Sequence, residues 1–274
     1  DEEKRIDFLS TELSGRRPLI PPAMPVSDEV KEVLDTFRTI AKIGKGSLGA
    51  YVISMAKSAS DVLAVELLQR EANMMVAGEL GQEPSPYNSL RVVPLFETLD
   101  DLNHGGEVMD RLLSTPWYRK HVAEVHGNHQ EIMLGYSDSG KDAGRLAANW
   151  ALYKCQEKIV SVCAKHGVKS TLFHGRGGTV GRGGGPLHLA MKSQPPGSVH
   201  GTLRVTEQGE MIQAKFGISA VASHQLERYT SAVLSATLEP PSPPRSQEWV
   251  GLMEKLSEIS CESYRSVVFQ NPNF

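Results

Sequence analysis

The sequence predicts an α/β fold, with about five parallel strands that form part of a (β/α)8 TIM-type barrel. Strand, loop and helix patterns alternate along the chain, and parallel strands need such helical crossovers. Polar residues of the kind that carry chemistry follow directly after three of the predicted strands. In a barrel these loops share one face, which holds the active site. Five strands cannot close a barrel, so we interpret residues 1–274 as one incomplete barrel domain, truncated at both ends.

Short apolar runs predict the strands, and the second run contains Pro94, which favours an irregular strand there. The predicted strands are 50–55, 90–96, 131–136, 170–173 and 201–205. Helical periodicity and start signals predict the helices between and after them. The predicted helices are 27–37, 58–73, 108–125 (broken near Pro116), 142–166, 223–238 and 247–266.

Composition and charge exclude several classes of protein. Apolar residues make up 40% of the chain and charged residues 22%, which is typical of a soluble globular protein. The net charge of -3 gives no long-range attraction for polyanions, and the apolar runs are too short to span a bilayer. We therefore expect neither nucleic-acid nor membrane partners. The three cysteines, without a C-x-x-C pair, favour reduced thiols in a cytoplasmic protein.

The segment 173–186 is the most informative motif, because seven of the eleven residues from Gly175 to Gly185 are glycine. Ordering such a run costs much conformational entropy, so a functional reason is expected. Its backbone N–H groups can surround an anion, and Arg176 and Arg182 offer planar forks for phosphate or carboxylate. The hypothesis is a loop that closes over an anionic substrate. A flexible surface loop and an RNA-binding RGG segment are the alternatives.

A second motif, residues 135–144, follows the third predicted strand. Asp138 could ligate a hard cation such as Mg²⁺ or Mn²⁺, and Lys141 could neutralise developing negative charge. The alternative is that Ser139 or Asp142 only caps the next helix. Both interpretations are compatible.

Two more residues follow predicted strands. Glu97 could supply a second carboxylate to the same cation; alternatively, Thr98 or Asp100 caps a helix and Glu97 is solvated. His174 leads into the glycine-rich segment, and two roles are predicted for it: positioning of charge or a structural hydrogen bond.

Two patterns are interpreted as unrelated to ligand binding. Residues 44–49 match G-x-G-x-x-G, but a helix precedes them and a strand follows, the reverse of a dinucleotide-binding motif. His121, His126 and His129 are spaced by five and three residues in a polar stretch, which favours a surface turn over a zinc site.

The motifs together resemble the phosphoenolpyruvate carboxylase family. The matching segments are 51–55, 93–102, 133–144, 173–186 and 193–211. The resemblance extends over essentially the whole chain in the same order. It implies joining of bicarbonate to phosphoenolpyruvate, giving oxaloacetate and phosphate, with Mg²⁺ or Mn²⁺ as cofactor. It also implies a barrel with added helices, a homotetramer, and feedback inhibition by malate and aspartate.

The resemblance assigns roles to six residues. Glu97 and Asp138 match the two metal-ligand carboxylates, and Lys141 matches a lysine near the substrate. His174 and Arg176 match loop residues that handle bicarbonate and the carboxyphosphate intermediate. Arg182 matches the arginine of the glycine loop, which also binds the inhibitors.

Other active-site segments of the family lie outside the chain, including one with a catalytic histidine. We therefore expect the isolated 274 residues to be inactive. The alternative of a different class is a non-catalytic anion- or RNA-binding module built on the glycine-arginine loop. Another barrel enzyme that uses phosphoenolpyruvate is a weaker hypothesis, because the signatures of those families are missing.

Overall fold

Five parallel strands form one sheet in sequence order in the computed structural model, which describes residues 1–21, 24–175, 187–207 and 209–272. The strands are β1 (Ala50–Ile53), β2 (Arg91–Phe96), β3 (His129–Gly135), β4 (Lys169–Gly175) and β5 (Arg204–Val205). The α/β class and the parallel sheet predicted from the sequence are confirmed. The fifth strand is shorter than predicted, since only two residues pair with β4.

Helices connect the strands, as parallel pairing requires, and further helices precede β1 and follow β5. They are α1 (Glu2–Ser14), α2 (Asp28–Ile43), α3 (Ala59–Glu79), α4 (Leu99–Ser114), α5 (Pro116–Val125), α6 (Ser137–Ala143), α7 (Arg145–Lys165), α8 (Leu187–Lys192), α9 (Gly209–Phe216), α10 (Ser219–Leu238) and α11 (Gln247–Val268). Residues 44–49 form the loop from α2 to β1, as predicted, so the G-x-G-x-x-G match is no nucleotide-binding turn.

Pro94 does not disrupt β2, contrary to the irregularity that its position suggested. It pairs with Ile53, and this is the last pair between β1 and β2. A proline cannot donate a ladder hydrogen bond, so its place at the end of the pairing with β1 makes the missing donor harmless. β2 then pairs with β3 through its last two residues.

Two predicted helices are divided in the structure. The predicted helix 108–125 starts earlier, at a capping box of Thr98 and Asp101, and Pro116 separates α4 from α5. The first two residues of the predicted helix 142–166 belong to a separate short helix, α6, and α7 begins at Arg145. Gly144 has a φ of 76° between α6 and α7, a left-handed conformation that ends one helix before the next begins.

The main core lies between the sheet and helices α3, α4 and α7. Its fully buried side chains include Leu63, Val92, Phe96, Leu102, Met109, Leu112, Ile132, Leu134, Leu152, Ile159 and Leu172. Close packing requires small residues where α4 approaches α7 and the sheet. A Cβ added to Gly105 would lie 2.9 Å from Cys155 Sγ and 3.0 Å from Phe96 Cδ2.

The packing at Gly105 gives a stability prediction. We expect Gly105→Ala to lower the free energy of unfolding by about 1–3 kcal/mol, because the added methyl group overpacks the core. Gly78→Ala is the matched control, since a Cβ there meets nothing within 4 Å. That variant should be neutral or more stable by up to about 1 kcal/mol, from helix propensity. Urea unfolding of both variants measures the difference, and equal free energies would contradict the packing argument.

The three cysteines are free and buried, in agreement with the predicted reduced thiols. Burial raises the pKa of Cys155 to about 12 and that of Cys163 to about 11. Only the thiolate reacts with alkylating agents. We therefore expect both thiols to resist iodoacetamide at mildly alkaline pH until the protein is unfolded. Mass spectrometry of peptides from native and urea-treated samples checks this, and fast labelling of native Cys155 would contradict it.

Within the described parts of the chain, none of the helices combines the length and apolar character needed to cross a membrane.

Candidate active site

The candidate site lies at the carboxyl-terminal edge of the sheet, where β2, β3 and β4 end side by side. Phe96 pairs with Leu134, and Gly135 pairs with Gly175, so Glu97 directly follows β2 beside Gly135. A Cβ on Gly135 would lie 2.5 Å from the Cβ of Glu97. The chain can therefore bring Glu97 against β3 only because residue 135 lacks a side chain.

The Glu97 carboxylate is half-buried and held in place by the loop after β1. Its Oε1 accepts a hydrogen bond from the backbone N–H of Met55 at 2.9 Å. Met55 has a φ of 53°, in the left-handed region that is uncommon for residues other than glycine. This turn aims its N–H at the carboxylate, so Glu97 is not the freely solvated side chain of the alternative interpretation.

Asp138 lies beside Glu97, and the two carboxylates influence each other. Burial is the largest cause that raises the pKa of Glu97, while the Met55 N–H opposes it by lowering that pKa. The charge of Asp138 and a hydrogen bond between the two carboxyl groups raise the pKa further. Two adjacent carboxylates repel each other unless a proton or a cation lies between them. The pair therefore suits a hard divalent cation, which prefers oxygen ligands.

Lys141 lies one helical turn after Asp138 on α6. Its Nζ donates a hydrogen bond to Asp138 Oδ1 at 2.9 Å, and both side chains are exposed. Positions three apart on a helix share one side, so the short helix presents a carboxylate and an ammonium group together. Both groups are thus accessible to an anionic ligand that binds a cation at the carboxylate pair.

Helix α6 is fixed to β3 and to two other helices, α4 and α11. Ser139 is buried, and its hydroxyl donates to the carbonyl of Gly135 at 2.7 Å. Asp142 Oδ2 accepts from the backbone N–H of Leu99 at 2.9 Å, and its Oδ1 accepts from Arg265 at 2.6 Å. The interpretation that Ser139 or Asp142 caps the next helix is wrong. Asp142 instead caps α4, the helix that follows Glu97, and so ties the two carboxylate loops together.

His174 lies on β4, buried, in register with Leu134 of β3. Its Nδ1 shares a hydrogen bond of 2.8 Å with the hydroxyl group of Tyr136, which fixes the orientation of the imidazole ring. Tyr136 directly precedes α6, so the same loop that carries Asp138 also orients His174. Arg176 and Arg182, the two arginines of the predicted anion-binding loop, lie outside the described residues.

Three participants in this region were not predicted from the sequence. Tyr136 stands between the third strand and the Ser-Asp motif, and its position beside that motif was the available signal. Met55 contributes only its backbone N–H, which no side-chain pattern reveals. Arg265 lies on α11, and its hydrogen bonds to Asp142 span 123 residues of sequence, so no local pattern could have indicated it.

The sequence model of the family described as "Phosphoenolpyruvate carboxylase" matches residues 1–274. The chain belongs to the phosphoenolpyruvate carboxylase family. It is 66% identical over 277 residues to phosphoenolpyruvate carboxylase 2 of Chlamydomonas reinhardtii, covering 100% of this chain and 23% of the relative. It is 61% identical over 274 residues to phosphoenolpyruvate carboxylase 4 of Arabidopsis thaliana, covering 100% of this chain and 26% of the relative.

A bacterial relative is similar over the same length. The phosphoenolpyruvate carboxylase of Chromohalobacter salexigens is 54% identical over 274 residues, covering 100% of this chain and 29% of the relative. The chain thus spans about a quarter of the length of the curated carboxylases that it matches. The resemblance inferred from the sequence motifs is confirmed at the level of the family.

Proposed function

We propose that this chain forms part of a phosphoenolpyruvate carboxylase that converts phosphoenolpyruvate and bicarbonate to oxaloacetate and phosphate. The observation that carries the proposal is the Glu97–Asp138 pair at the carboxyl-terminal edge of a parallel sheet, in a chain that matches the family throughout. Active sites of (β/α)8 barrels lie at that edge. The sheet and its crossover helices accordingly represent part of such a barrel with added helices, and residues 1–274 one incomplete domain of it.

Glu97 and Asp138 would hold Mg²⁺ or Mn²⁺ in this enzyme. The fit rests on their oxygen donors and on their proximity: burial raises the pKa of Glu97, and the charge of Asp138 raises it further. A divalent cation held there supplies Lewis-acid stabilisation of negative charge on phosphate and carboxylate oxygens. The Met55 N–H keeps the Glu97 carboxylate oriented toward Asp138, and Gly135 leaves room for it.

Lys141 and His174 then act on the reacting anions. The ammonium group of Lys141 is exposed beside Asp138 and would stabilise the enolate formed when bicarbonate attacks phosphorus. His174, oriented by Tyr136, would position bicarbonate and the carboxyphosphate formed from it. Arg176 would bind the same anions through its planar guanidinium group.

The glycine-rich segment 173–186 would exclude water while carbon dioxide and the enolate combine. Water can protonate the enolate and divert it to pyruvate, so closure of the site protects the product. Arg182 would take part in closure and also bind the inhibitors malate and aspartate. We further propose that the full-length enzyme is a homotetramer in the cytoplasm and has no nucleic-acid or membrane partners. The isolated chain should form no oxaloacetate, because it spans about a quarter of its relatives.

A chimeric enzyme tests the proposed function directly. This chain would replace the matching segment of the Chlamydomonas carboxylase, with which it shares 66% identity. We expect the chimera to form oxaloacetate only when phosphoenolpyruvate, bicarbonate and Mg²⁺ or Mn²⁺ are all present. Coupled oxidation of NADH by malate dehydrogenase measures the product.

The unmodified relative serves as the positive control, and the purified 274-residue chain as the negative control. A folded chimera of native size without oxaloacetate formation would contradict the proposal. Product formation by the isolated chain would refute the expectation that the chain alone is inactive.

A further inference from the structure

A second cluster of ligand-type side chains lies at the opposite edge of the sheet, away from Glu97 and Asp138. It consists of Glu66 on α3, His121 on α5 and His126, the residue that ends α5. One ligand atom from each residue lies within 4.8 Å of the others. β3 begins three residues after His126, at His129, so the cluster is at the amino-terminal edge of the strands.

His126 lies at the turn that ends α5, but His121 lies within α5 and is buried, so the predicted surface turn is wrong for His121. His121 is only 8% exposed, because α5 turns it inward against α3. Its Nε2 lies 3.5 Å from Oε2 of Glu66, which is itself 2% exposed. Glu66 was not recognisable from the sequence as a partner, since it belongs to a helix about fifty residues upstream.

Three buried polar atoms of the cluster lack hydrogen-bond partners among the residues that the structure describes. They are Oε1 of Glu66, Nε2 of His121 and Nε2 of His126. Burying such atoms without a partner costs free energy, and native proteins rarely leave them unsatisfied. All three can donate a lone pair. A single metal ion between them would satisfy the three atoms at once.

Burial disfavours the charged forms of all three side chains. It lowers the pKa of His121 to about 4 and that of His126 to about 3, and it raises the pKa of Glu66 to about 8.

The surrounding residues hold the cluster in place. Trp117 stacks on the ring of His121 at 4.8 Å, and the rings of His121 and His126 meet edge to face at 4.8 Å. Gln69 donates a hydrogen bond to Oε2 of Glu66 at 3.3 Å, and its side chain is itself fixed to the backbone of Leu90. Such outer contacts orient metal ligands in known sites.

The positive charges around the cluster are partly compensated. After burial and His121, the charges of Arg91, Lys45 and His129 also lower the pKa of His126. Arg91 pairs with the buried carboxylate of Glu131 at 3.6 Å, and Arg204 pairs with the same carboxylate at 2.7 Å. The single carboxylate of Glu66 is therefore the main anionic ligand available at the cluster.

We propose that Glu66, His121 and His126 form a zinc-binding site that links α3 to α5 at the amino-terminal edge of the sheet. Two imidazoles and one carboxylate are a ligand set that Zn²⁺ takes, with water in the fourth position. Nitrogen ligands distinguish this site from the all-oxygen pair of Glu97 and Asp138, which suits Mg²⁺ or Mn²⁺. The ion would cross-link two helices that precede different strands, and its fourth position would remain open to water.

Metal titration of the purified 274-residue chain tests this site. After removal of metals with a chelator, Zn²⁺ is titrated in competition with a chromophoric chelator, with excess Mg²⁺ present. We expect one Zn²⁺ to bind per chain and to raise the melting temperature, because the ion binds the folded state. His126→Gln should weaken binding at least about 100-fold, since loss of a ligand exceeds the effect of outer-contact mutations.

His104→Gln is the matched control, because His104 is an exposed histidine on α4 outside the cluster. It should leave the affinity and the melting-temperature shift unchanged. Glu66→Gln, of nearly the same volume, is a second variant that should also abolish tight binding. Co²⁺ in place of Zn²⁺ should give the visible absorption of a tetrahedral nitrogen-oxygen site in the unmodified chain and lose it in His126→Gln.

Absence of one-to-one Zn²⁺ binding to the unmodified chain overturns the proposal. So does binding that His126→Gln and Glu66→Gln leave intact, or that His104→Gln weakens equally. None of these measurements involves carboxylation, so a negative result for the zinc site does not contradict the proposed function, and the reverse also holds.

Discussion

Asp138→Asn in the chimeric carboxylase is expected to lower kcat/KM for phosphoenolpyruvate by at least about 100-fold, or about 2.7 kcal/mol of transition-state stabilisation. The amide keeps the size of the side chain but removes the charge that pairs with a divalent cation beside Glu97. It also removes the charged partner of Lys141. Steady-state rates at several Mg²⁺ and Mn²⁺ concentrations measure the effect, and the concentration for half-maximal activity should rise.

Asp100→Asn is the matched control, because Asp100 is a highly exposed aspartate three residues after Glu97. It should keep the activity and the metal dependence of the chimera. Glu97→Gln should resemble Asp138→Asn, since both carboxylates belong to one proposed site. Full activity of Asp138→Asn at ordinary metal concentration would contradict the assignment.

The same variants distinguish the proposed carboxylase function from the non-catalytic alternative. An anion- or RNA-binding module built on the glycine-arginine loop would not depend on Asp138. RNA binding that is lost only when Arg176 and Arg182 are replaced would favour that module. We expect no such binding, because the chain carries a net charge of -3 and has no long-range attraction for polyanions.

The sequence was sufficient for the order and type of the main elements. Apolar runs separated by amphipathic helices indicated the five parallel strands, because parallel strands need helical crossovers and have mostly apolar side chains. The predicted helix boundaries were wrong where a single residue determines where a helix begins or ends. Gly144 divides two helices through its positive φ, and the predicted helix after β2 starts earlier because Thr98 forms a capping box. Neither effect produces a periodic signal.

Proximity within the candidate site could be predicted only where topology implies it. Glu97 and Asp138 follow neighbouring parallel strands, so their meeting follows from the sheet order. The contacts of Asp142 with Arg265 and of His174 with Tyr136 depend on side-chain orientation across distant elements. The inward orientation of His121 and its contact with Glu66 also depend on side-chain orientation across distant elements. This explains why the sequence spacing of the histidines was misleading.

The second large effect concerns a residue without a side chain. Gly135→Ala in the chimera would place a methyl group 2.5 Å from the Cβ of Glu97 and 2.9 Å from its Cα. Backbone atoms cannot yield as a flexible side chain can, so the loop after β2 must move away. We expect the Mg²⁺ concentration for half-maximal activity to rise at least about tenfold, because misplacing a ligand weakens its bond to the ion. Overpacking should also cost about 1–3 kcal/mol of stability.

Gly78→Ala distinguishes a local effect from a general one. Its added methyl group meets nothing within 4 Å, and the residue lies near the end of α3, far along the chain from both carboxylates. In Gly78→Ala, the Mg²⁺ concentration for half-maximal activity should be unchanged. A merely structural role of Gly135 predicts reduced stability with an unaltered requirement for Mg²⁺. A shift of the metal requirement in Gly135→Ala alone would therefore tie this glycine to the position of Glu97, and through Glu97 to the proposed cation.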